Sequence, residues 1–600
     1  MVNEQKELFY IDKINDAESV IIDFSKKLTT IVRLRLVVFL AVAIAAFFLW
    51  KVNMVFAIIL INIAVLFFLF LGKRQSKLET KKIFYSNLKE VYLHEVKLLN
   101  RDFVGVDEGN RYQEEYHNYS HDLDMFGVNS IYQILNRCCT FSGKEKLSNL
   151  LNHPFSDKDK IINNQLATKE LFSKQNWCHD FLAYGKGVSD NSESISSVEK
   201  WLNSENYFSS SFTKVIKQVV PILMILMIAA LILGVISWIY LGGFFLLNLI
   251  ITSIYTKRVN KVHTVLSSKY AIIEKYIDLI KSIENESFSA KNLSHLQTQV
   301  LVNKDEISAS SSLKKLNALV GLLDARLNIY MALLLNGFFL WDINNASKVE
   351  KWRGLYKAEF IKWIDAIGEF DVLVSLALFN ISNKEYIYPE ILEGDFKIKT
   401  QKIGHPLISK EKLVLNDYEI EGDSKIDLLT GANMAGKSTF LRTLGVNLIL
   451  SMIGAPVCAQ EFKCKPVKLF TSLRTVDSLQ ENESFFYAEL KRLREMILLY
   501  EGNNDYFFLF DEILKGTNSK DQHSGSLGLI KKILSLKGKG IIATHDLELS
   551  ILEQELPENI RNFSFEVDIV NDKLKFDYKL KRGFCKMMNA TYLMKNMGII

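Results

Sequence analysis

Gly431-Ala432-Asn433-Met434-Ala435-Gly436-Lys437-Ser438 fits the pattern G-x-x-x-x-G-K-[ST]. It lies between a strand-like run, Lys425-Ile426-Asp427-Leu428-Leu429, and a helix-like one from Thr439 to Leu450. In that setting the residue types have a physical reading: the glycines let backbone N–H groups wrap phosphates, Lys437 reaches the outer phosphates, and Ser438 is placed to ligate Mg²⁺ at a helix N-terminus. Gly431, Asn433, Met434, Ala435, Gly436 and Thr439 complete the expected nucleotide cradle. Downstream, Tyr506-Phe507-Phe508-Leu509-Phe510 is an apolar strand ending in Asp511-Glu512. Asp511 is expected to hold Mg²⁺, directly or through water, and Glu512 to act as general base on the attacking water. A third short strand, Gly540-Ile541-Ile542-Ala543, ends in Thr544-His545-Asp546. Taken alone, His545 reads as a surface residue; at a strand carboxyl end behind such a loop it reads as a neighbour of the γ-phosphate. Short strands alternating with helical stretches from about residue 398 onward predict a parallel α/β domain.

The remainder of the chain has a different texture. Six hundred residues, 48% hydrophobic and 24% charged with 7 prolines, exclude a disordered or collagen-like chain and leave room for several cores. The 6 cysteines form no C-x-x-C pair, which argues against a disulfide framework or a zinc site. A formal charge of +5, from 73 basic and 68 acidic residues, is too small to mark a nucleic-acid binder by itself. Leu36 to Trp50 and Val52 to Gly72 are uncharged runs separated by Lys51, and Val219 to Tyr255 is uncharged throughout. A bilayer core of ~30 Å needs roughly 20 apolar helical residues. The first block therefore predicts a transmembrane hairpin turning near Lys51, and the second predicts two spans interrupted by Pro221 and by Leu241-Gly242-Gly243; a buried helix pair in a soluble core is the alternative for each. Lys and Arg crowd all four outer flanks, as in Arg33, Arg35, Lys73, Arg74, Lys214, Lys217, Lys257 and Arg258, which by the positive-inside tendency places both ends and the inter-hairpin region in the cytoplasm. Residues 75 to 210, with polar breaks at Asn152-His153-Pro154 and Ser189 to Ser192, and 257 to about 380, with apolar spacing such as Leu313, Leu316, Leu319, Leu322, Leu323 and Leu327, predict long helices.

The loop 431–439, Asp511-Glu512-Ile513 with Gly516-Thr517, and Ala543-Thr544-His545 together resemble the ATPase domain of the MutS mismatch-repair family, a branch of the ABC-type ATPases. The resemblance extends to Gly404-His405-Pro406-Leu407, to Leu415-Asn416-Asp417, where that family has an asparagine near the adenine, and to Asp477 through Glu489, where Ser484 and Phe486 match an S-x-F element. Asp122 to Gly127, Leu135-Asn136, Thr140 to Gly143 and Leu147 to Pro154 are similar to the opening of the family's helical core. The resemblance implies ATP and Mg²⁺ as cofactors. It also implies a homodimer in which Ser484 reaches the γ-phosphate held by the other subunit. Departures are Ala432 where proline is usual, Leu514-Lys515 where glycine and arginine are usual, and Asn482-Glu483 before Ser484. Mismatch-reading members carry an N-terminal domain with a Phe-x-Glu wedge, and the stretch ahead of the first hairpin has no room for it.

The expected architecture is an α-helical membrane and core region followed by an α/β ABC-type P-loop ATPase domain. It divides into a cytoplasmic segment 1–35, hairpins 36–72 and 219–255, helical core 73–210, helical lever 256–395 and ATPase domain 396–600. The expected location is the inner (cytoplasmic) membrane, multi-pass, with the ATPase domain in the cytoplasm. Two functions stand side by side. One is a membrane-anchored ATPase acting as a dimer on duplex or branched DNA without mismatch reading. The other is a membrane machine with no DNA role, whose ATPase rearranges the hairpins or a protein partner. Residues 257 to 315, with 10 basic and 6 acidic residues, read as a solvated helix face or as a weak phosphate track.

Overall fold

The computed structural model describes residues 2–301, 308–474, 485–502, 505–570 and 573–585. The first two helices, α1 (Val2–Val52) and α2 (Met54–Leu99), form one antiparallel hairpin. Its turn falls at Asn53, two residues beyond Lys51, and the Asn53 side chain accepts from Val55 N at 2.9 Å to cap α2. At about 1.5 Å per residue these helices are far longer than a bilayer is thick, so their charged halves extend as a stalk beyond the apolar run. Arg35 Nη1 donating to Gln75 Oε1 at 2.6 Å, and Asn100 Nδ2 donating to Glu7 Oε1 at 3.1 Å, tie the two helices together along this stalk.

Short helices α3 (Ile131–Leu135), α4 (Phe141–Asn152), α5 (Lys158–Ser173), α6 (Gln175–Gly185) and α7 (Ser192–Leu202) follow, with breaks at both polar stretches expected from the sequence. The second hairpin is α8 (Ser211–Ile232) and α9 (Trp238–Ser267). Here the expected interruptions are corrected: Pro221 lies inside α8, Gly242-Gly243 lies inside α9, and the chain turns instead at 233–237, where Gly234 takes φ +73°. A glycine pair can continue a helix, whereas a positive φ at the turn calls for glycine. All four hairpin helices are long and apolar enough to cross a membrane, and the apolar stretches are almost wholly exposed.

Helices α10 (Tyr270–Glu284), α11 (Lys291–Leu301), α12 (Ala309–Asp324), α13 (Ile329–Phe339) and the long α14 (Trp341–Ser382) complete the helical part. Of the leucine series, Leu313, Leu316, Leu319 and Leu323 are buried, while Leu322 and Leu327 point outward.

The C-terminal part is mixed α/β. A small sheet in the order β1-β5-β2-β3 combines β1 (Glu390–Ile391), β2 (Lys397–Ile403), β3 (Asn416–Glu421) and β5 (Glu461–Cys464). The main sheet runs β10-β9-β4-β8-β7-β6, from β4 (Ile426–Gly431), β6 (Lys468–Ser472), β7 (Tyr506–Asp511), β8 (Lys539–Thr544), β9 (Ile560–Val570) and β10 (Lys573–Arg582). Only the β9–β10 pair in it is antiparallel. Helices α15 (Lys437–Met452), α16 (Phe485–Gly502), α17 (Ser519–Ser535) and α18 (Leu552–Glu555) connect the strands. The near-continuous apolar runs of β4, β7 and β8 are those of strands covered on both faces.

The core of this α/β part also takes in residues 119–161 from the helical half: Leu123, Met125, Ile131 and Leu147 join Leu444, Ile449 and Phe507 in one cluster. Gly445 leaves the space that Leu123 fills, since a Cβ there would lie 2.9 Å from its methyls. Beside it, Asp122 accepts from Thr471 Oγ1 at 2.6 Å and from the Leu473 and Arg474 amides at 3.0 Å, and Asp124 pairs with Arg474 at 2.6 Å and Arg442 at 3.2 Å. The Asp122-Leu123-Asp124 element thus fastens the helical part to β6 and to α15.

Candidate nucleotide site

Parallel strands converge at their carboxyl ends, and in such sheets ligands bind in the crevice just beyond them. Register sets Thr430 of β4 beside Thr544 of β8 and Asp511 of β7 beside Ala543 of β8, so the residues that follow these strands must meet in space. They do so around a cleft of about 780 Å³.

The loop leaving β4 forms one wall. Gly431 adopts φ +153° with Phe565 O 2.8 Å from where a Cβ would sit, and Gly436 adopts φ +112°, so neither position accepts an ordinary side chain. Met434 takes φ +64° and stands 82% exposed at the cleft mouth, with Asn433 and Ala435 beside it. Lys437 and Ser438 open α15 and point their side chains inward. Lys437 Nζ donates to the carbonyls of Gly431 at 2.8 Å and Ala432 at 3.1 Å, and lies 3.3 Å from His545 Nε2. Burial pushes its ammonium below the ordinary lysine value, against the pull of Glu512 and Asp511. Ser438 Oγ donates to Asp511 Oδ2, while Asp511 Oδ1 is buried with no hydrogen-bond partner. Thr439 also lines the cleft.

Glu512 occupies a φ of +56° and is fixed by its amide donating to Ala543 O at 2.8 Å. Its carboxylate lies 2.7 Å from His545 Nε2 and 3.4 Å from Lys515 Nζ. The His545 hydrogen bond, ahead of the charges of His545, Lys515 and Lys437, holds the Glu512 carboxyl at about 2. The residue after His545, Asp546, pairs with His523 Nδ1 of α17 at 2.6 Å and donates its amide to Thr544 Oγ1 at 3.0 Å.

Asn416 reaches the cleft from β3, but as a bridge: its Nδ2 donates to Tyr578 O at 3.0 Å and its Oδ1 accepts from Leu580 N at 2.8 Å, joining β3 to β10. His405 lines the same end; burial, then Arg442, lowers its imidazole to about 4. Ser484 lies outside the described residues. Phe486, in the first turn of α16, abuts Gly516, where a Cβ would come within 2.7 Å of it.

Five residues were given no role by the sequence reading. Phe576 and Tyr578, stacked at 5.8 Å between centroids, form the wall opposite the loop together with Phe565. Glu489 of α16, 4% exposed, accepts from Leu514 N and so holds the turn after Glu512. Strand pairing late in the chain brings in the aromatics, and no local spacing announces it. Lys515, marked only as a departure, supplies a cation to Glu512.

Comparison with known proteins agrees with this geometry. A family profile described as MutS domain V matches residues 427–597. The chain is 31% identical over 238 residues to MutS protein homolog 4 of Mus musculus, covering 38% of this chain and 24% of that protein. It is 32% identical over 237 residues to DNA mismatch repair protein MutS of Ehrlichia chaffeensis, covering 39% and 29%, and 34% identical over 229 residues to the MutS of Finegoldia magna, covering 37% and 26%. The match spans about a quarter of the length of these relatives. The part of the chain that builds most of the cleft just described, residues 427–597, is thus similar to MutS domain V.

Proposed function

We propose that this protein is a membrane-anchored ATPase of the MutS type, with an ABC-type P-loop domain over residues 396–600 that binds and hydrolyses ATP as a homodimer. The carrying observation is the convergence of Lys437, Ser438, Asp511, Glu512 and His545 on one cleft at the carboxyl ends of β4, β7 and β8. Lys437 would exchange its loop carbonyls for phosphate oxygens, a stronger charge-assisted contact. The unpartnered Asp511 Oδ1 and the adjacent Ser438 hydroxyl fit a divalent cation, and bound Mg²⁺ would neutralise phosphate oxygens there. Glu512 is placed to orient water and accept its proton, with His545 setting the carboxylate's position. Gly431, Asn433, Met434, Ala435, Gly436 and Thr439 cradle the phosphates, and Asn416 sits at the base end of the cleft.

The apolar hairpins 36–72 and 219–255 serve as anchors in the inner membrane, with both chain ends and the region between the hairpins cytoplasmic on the basic flanks. The names of the relatives support a DNA partner. DNA binding without mismatch reading is the form proposed. A second reading, a machine that moves the hairpins or a protein partner, is favoured by the stalk's attachment: Lys6 of α1 donates to Ser382 O at 2.9 Å, and Glu95 of α2 pairs with Arg137 at 2.7 Å.

Lys437→Ala should abolish ATP binding, while Glu512→Gln should bind ATP and stall. Ordinary steady-state turnover by Glu512→Gln would overturn the assignment. DNA retention by the purified protein at two salt concentrations separates the two readings.

A further inference from the structure

From Leu327 to Trp341 the chain carries no charge, a run of 15 residues lying in what the sequence reads as a cytoplasmic lever. Its helix, α13, has 11 residues, about 16 Å, half of what a bilayer crossing requires. The chain bends by 112° between α12 and α13 and reverses again at Leu340, which takes φ +48° and is fully buried. A short apolar helix between two sharp bends would ordinarily sit in a core. This one does not: Leu327, Ile329, Tyr330, Met331, Leu333 and Leu334 are each 47–76% exposed.

Its other face is seated on the second hairpin. Asn248, fully buried in α9, donates from Nδ2 to Gly337 O at 2.8 Å, and Phe245 lies so close over Gly337 that a Cβ there would meet the ring at 2.1 Å. Phe245 and Asn248 fall well inside the uncharged run 219–255, seven and ten residues from the start of α9 and remote from its first charge, Lys257. Helix α13 is therefore level with the apolar body of the hairpin, and its exposed side chains continue the exposed apolar surface of α8 and α9.

Several polar groups of this excursion find partners within it, as irregular backbone at membrane depth requires, while Asn248 Oδ1, Arg326 Nη1 and Asp342 Oδ1 are buried without a hydrogen-bond partner. Asn328 Oδ1 caps the start of α13 by accepting from Tyr330 N and Met331 N at 3.1 and 3.2 Å. At the reversal, Asn336 Oδ1 accepts from Asp342 N at 2.9 Å, and Asn344 Nδ2 donates to Phe339 O at 2.8 Å. The charges that flank the run, Arg326 and Asp342, pair with each other at 3.4 Å.

We infer that α13 is a fifth membrane-embedded element, a half-depth re-entrant helix whose Ile329, Tyr330, Met331, Leu333 and Leu334 side chains contact lipid acyl chains. The inference rests on the hairpins being membrane spans, and the test separates the two. Single cysteines at Leu334→Cys, Met331→Cys, Ile225→Cys in α8 and Val128→Cys in the helical core are labelled with a bimane fluorophore. The full protein is then placed in phosphatidylcholine vesicles with or without nitroxide on the acyl chains. The unsubstituted protein, whose cysteines are buried or half-buried, is the blank. Loss of most emission at 334, 331 and 225, with none at 128, is the expected result. Quenching at 225 but at neither 334 nor 331 overturns the inference and leaves the spans standing, whether water or a second copy covers the helix. No quenching at 225 either overturns the membrane reading itself.

Discussion

His545 Nε2 stands 2.7 Å from Glu512 Oε1, each residue following the last of one of two adjacent parallel strands, and this contact holds the Glu512 carboxyl below its ordinary value. Removing the imidazole should let the Glu512 carboxyl rise from about 2 toward its ordinary 4.5. His545→Asn is expected to lower kcat by about 10²-fold while leaving ATP affinity nearly unchanged, and to move the acid limb of the pH–rate profile upward. Steady-state ATPase assays between pH 4 and 8 measure both.

The Glu95–Arg137 pair joins the stalk helix α2 to the turn before α4, with both side chains 1% exposed. Burial alone would raise the Glu95 carboxyl, but Arg137 holds it below its ordinary value. Arg137 also donates to the Ile134 and Leu135 carbonyls and to Ser382 Oγ. Arg137→Ala, which leaves the buried Glu95 carboxylate with the Ser382 hydroxyl but no cation, should cost about 3–5 kcal/mol. Glu95→Gln with Arg137→Met should recover part of that loss. Thermal melting in detergent ranks the two variants.

Burial lowers His405 and His179 from 6.5 to about 4 in the folded protein. Between these values the folded state binds fewer protons than the unfolded one, so stability falls as pH drops from about 6.5 toward 4. At the lower limit each histidine contributes a loss on the order of 3 kcal/mol. The melting temperature should decline across this window, and His405→Gln should flatten part of the decline.

If the ATP sites are shared between subunits through Ser484, the turnover per subunit should fall on dilution to monomer. Ser484→Arg should block hydrolysis while leaving ATP binding intact, because the bulky cation would enter the partner's γ-phosphate pocket. A rate independent of concentration would exclude the shared site.

Binding to DNA should be weak and should fall steeply with salt, as contacts to phosphates do. Matched and mismatched duplexes should bind alike. A mismatch preference above about tenfold, or ~1.4 kcal/mol, would reveal a reading element elsewhere in the chain. Titration of labelled duplexes with and without ATP decides this.

Local patterns carried much of the site. The glycine loop 431–438, the strand ending in Asp511-Glu512 and the strand ending before His545 are each short-range signals, and parallel pairing leaves their ends no place to go but one crevice. The hairpins were legible for a similar reason, since a charge-free run of spanning length is a property of composition alone.

Tertiary structure decided what depends on contacts distant in sequence. Tyr578 and Phe576 face the glycine loop only because β10 pairs with β9 beside β4, and Asn416 serves as a strand bridge only because β10 lies within its reach. Gly242-Gly243 could have broken a helix or continued one; it continues α9, while Gly234 takes the turn. The run 327–341 is too short to announce a span, and only its seat against Asn248 and Phe245 sets it beside the uncharged part of α9. Sequence by itself determined the residue types of the loop and the apolar character of the hairpins, because both follow from neighbouring residues; the walls of the cleft and the seat of α13 on α9 needed the fold, because their partners are far away along the chain.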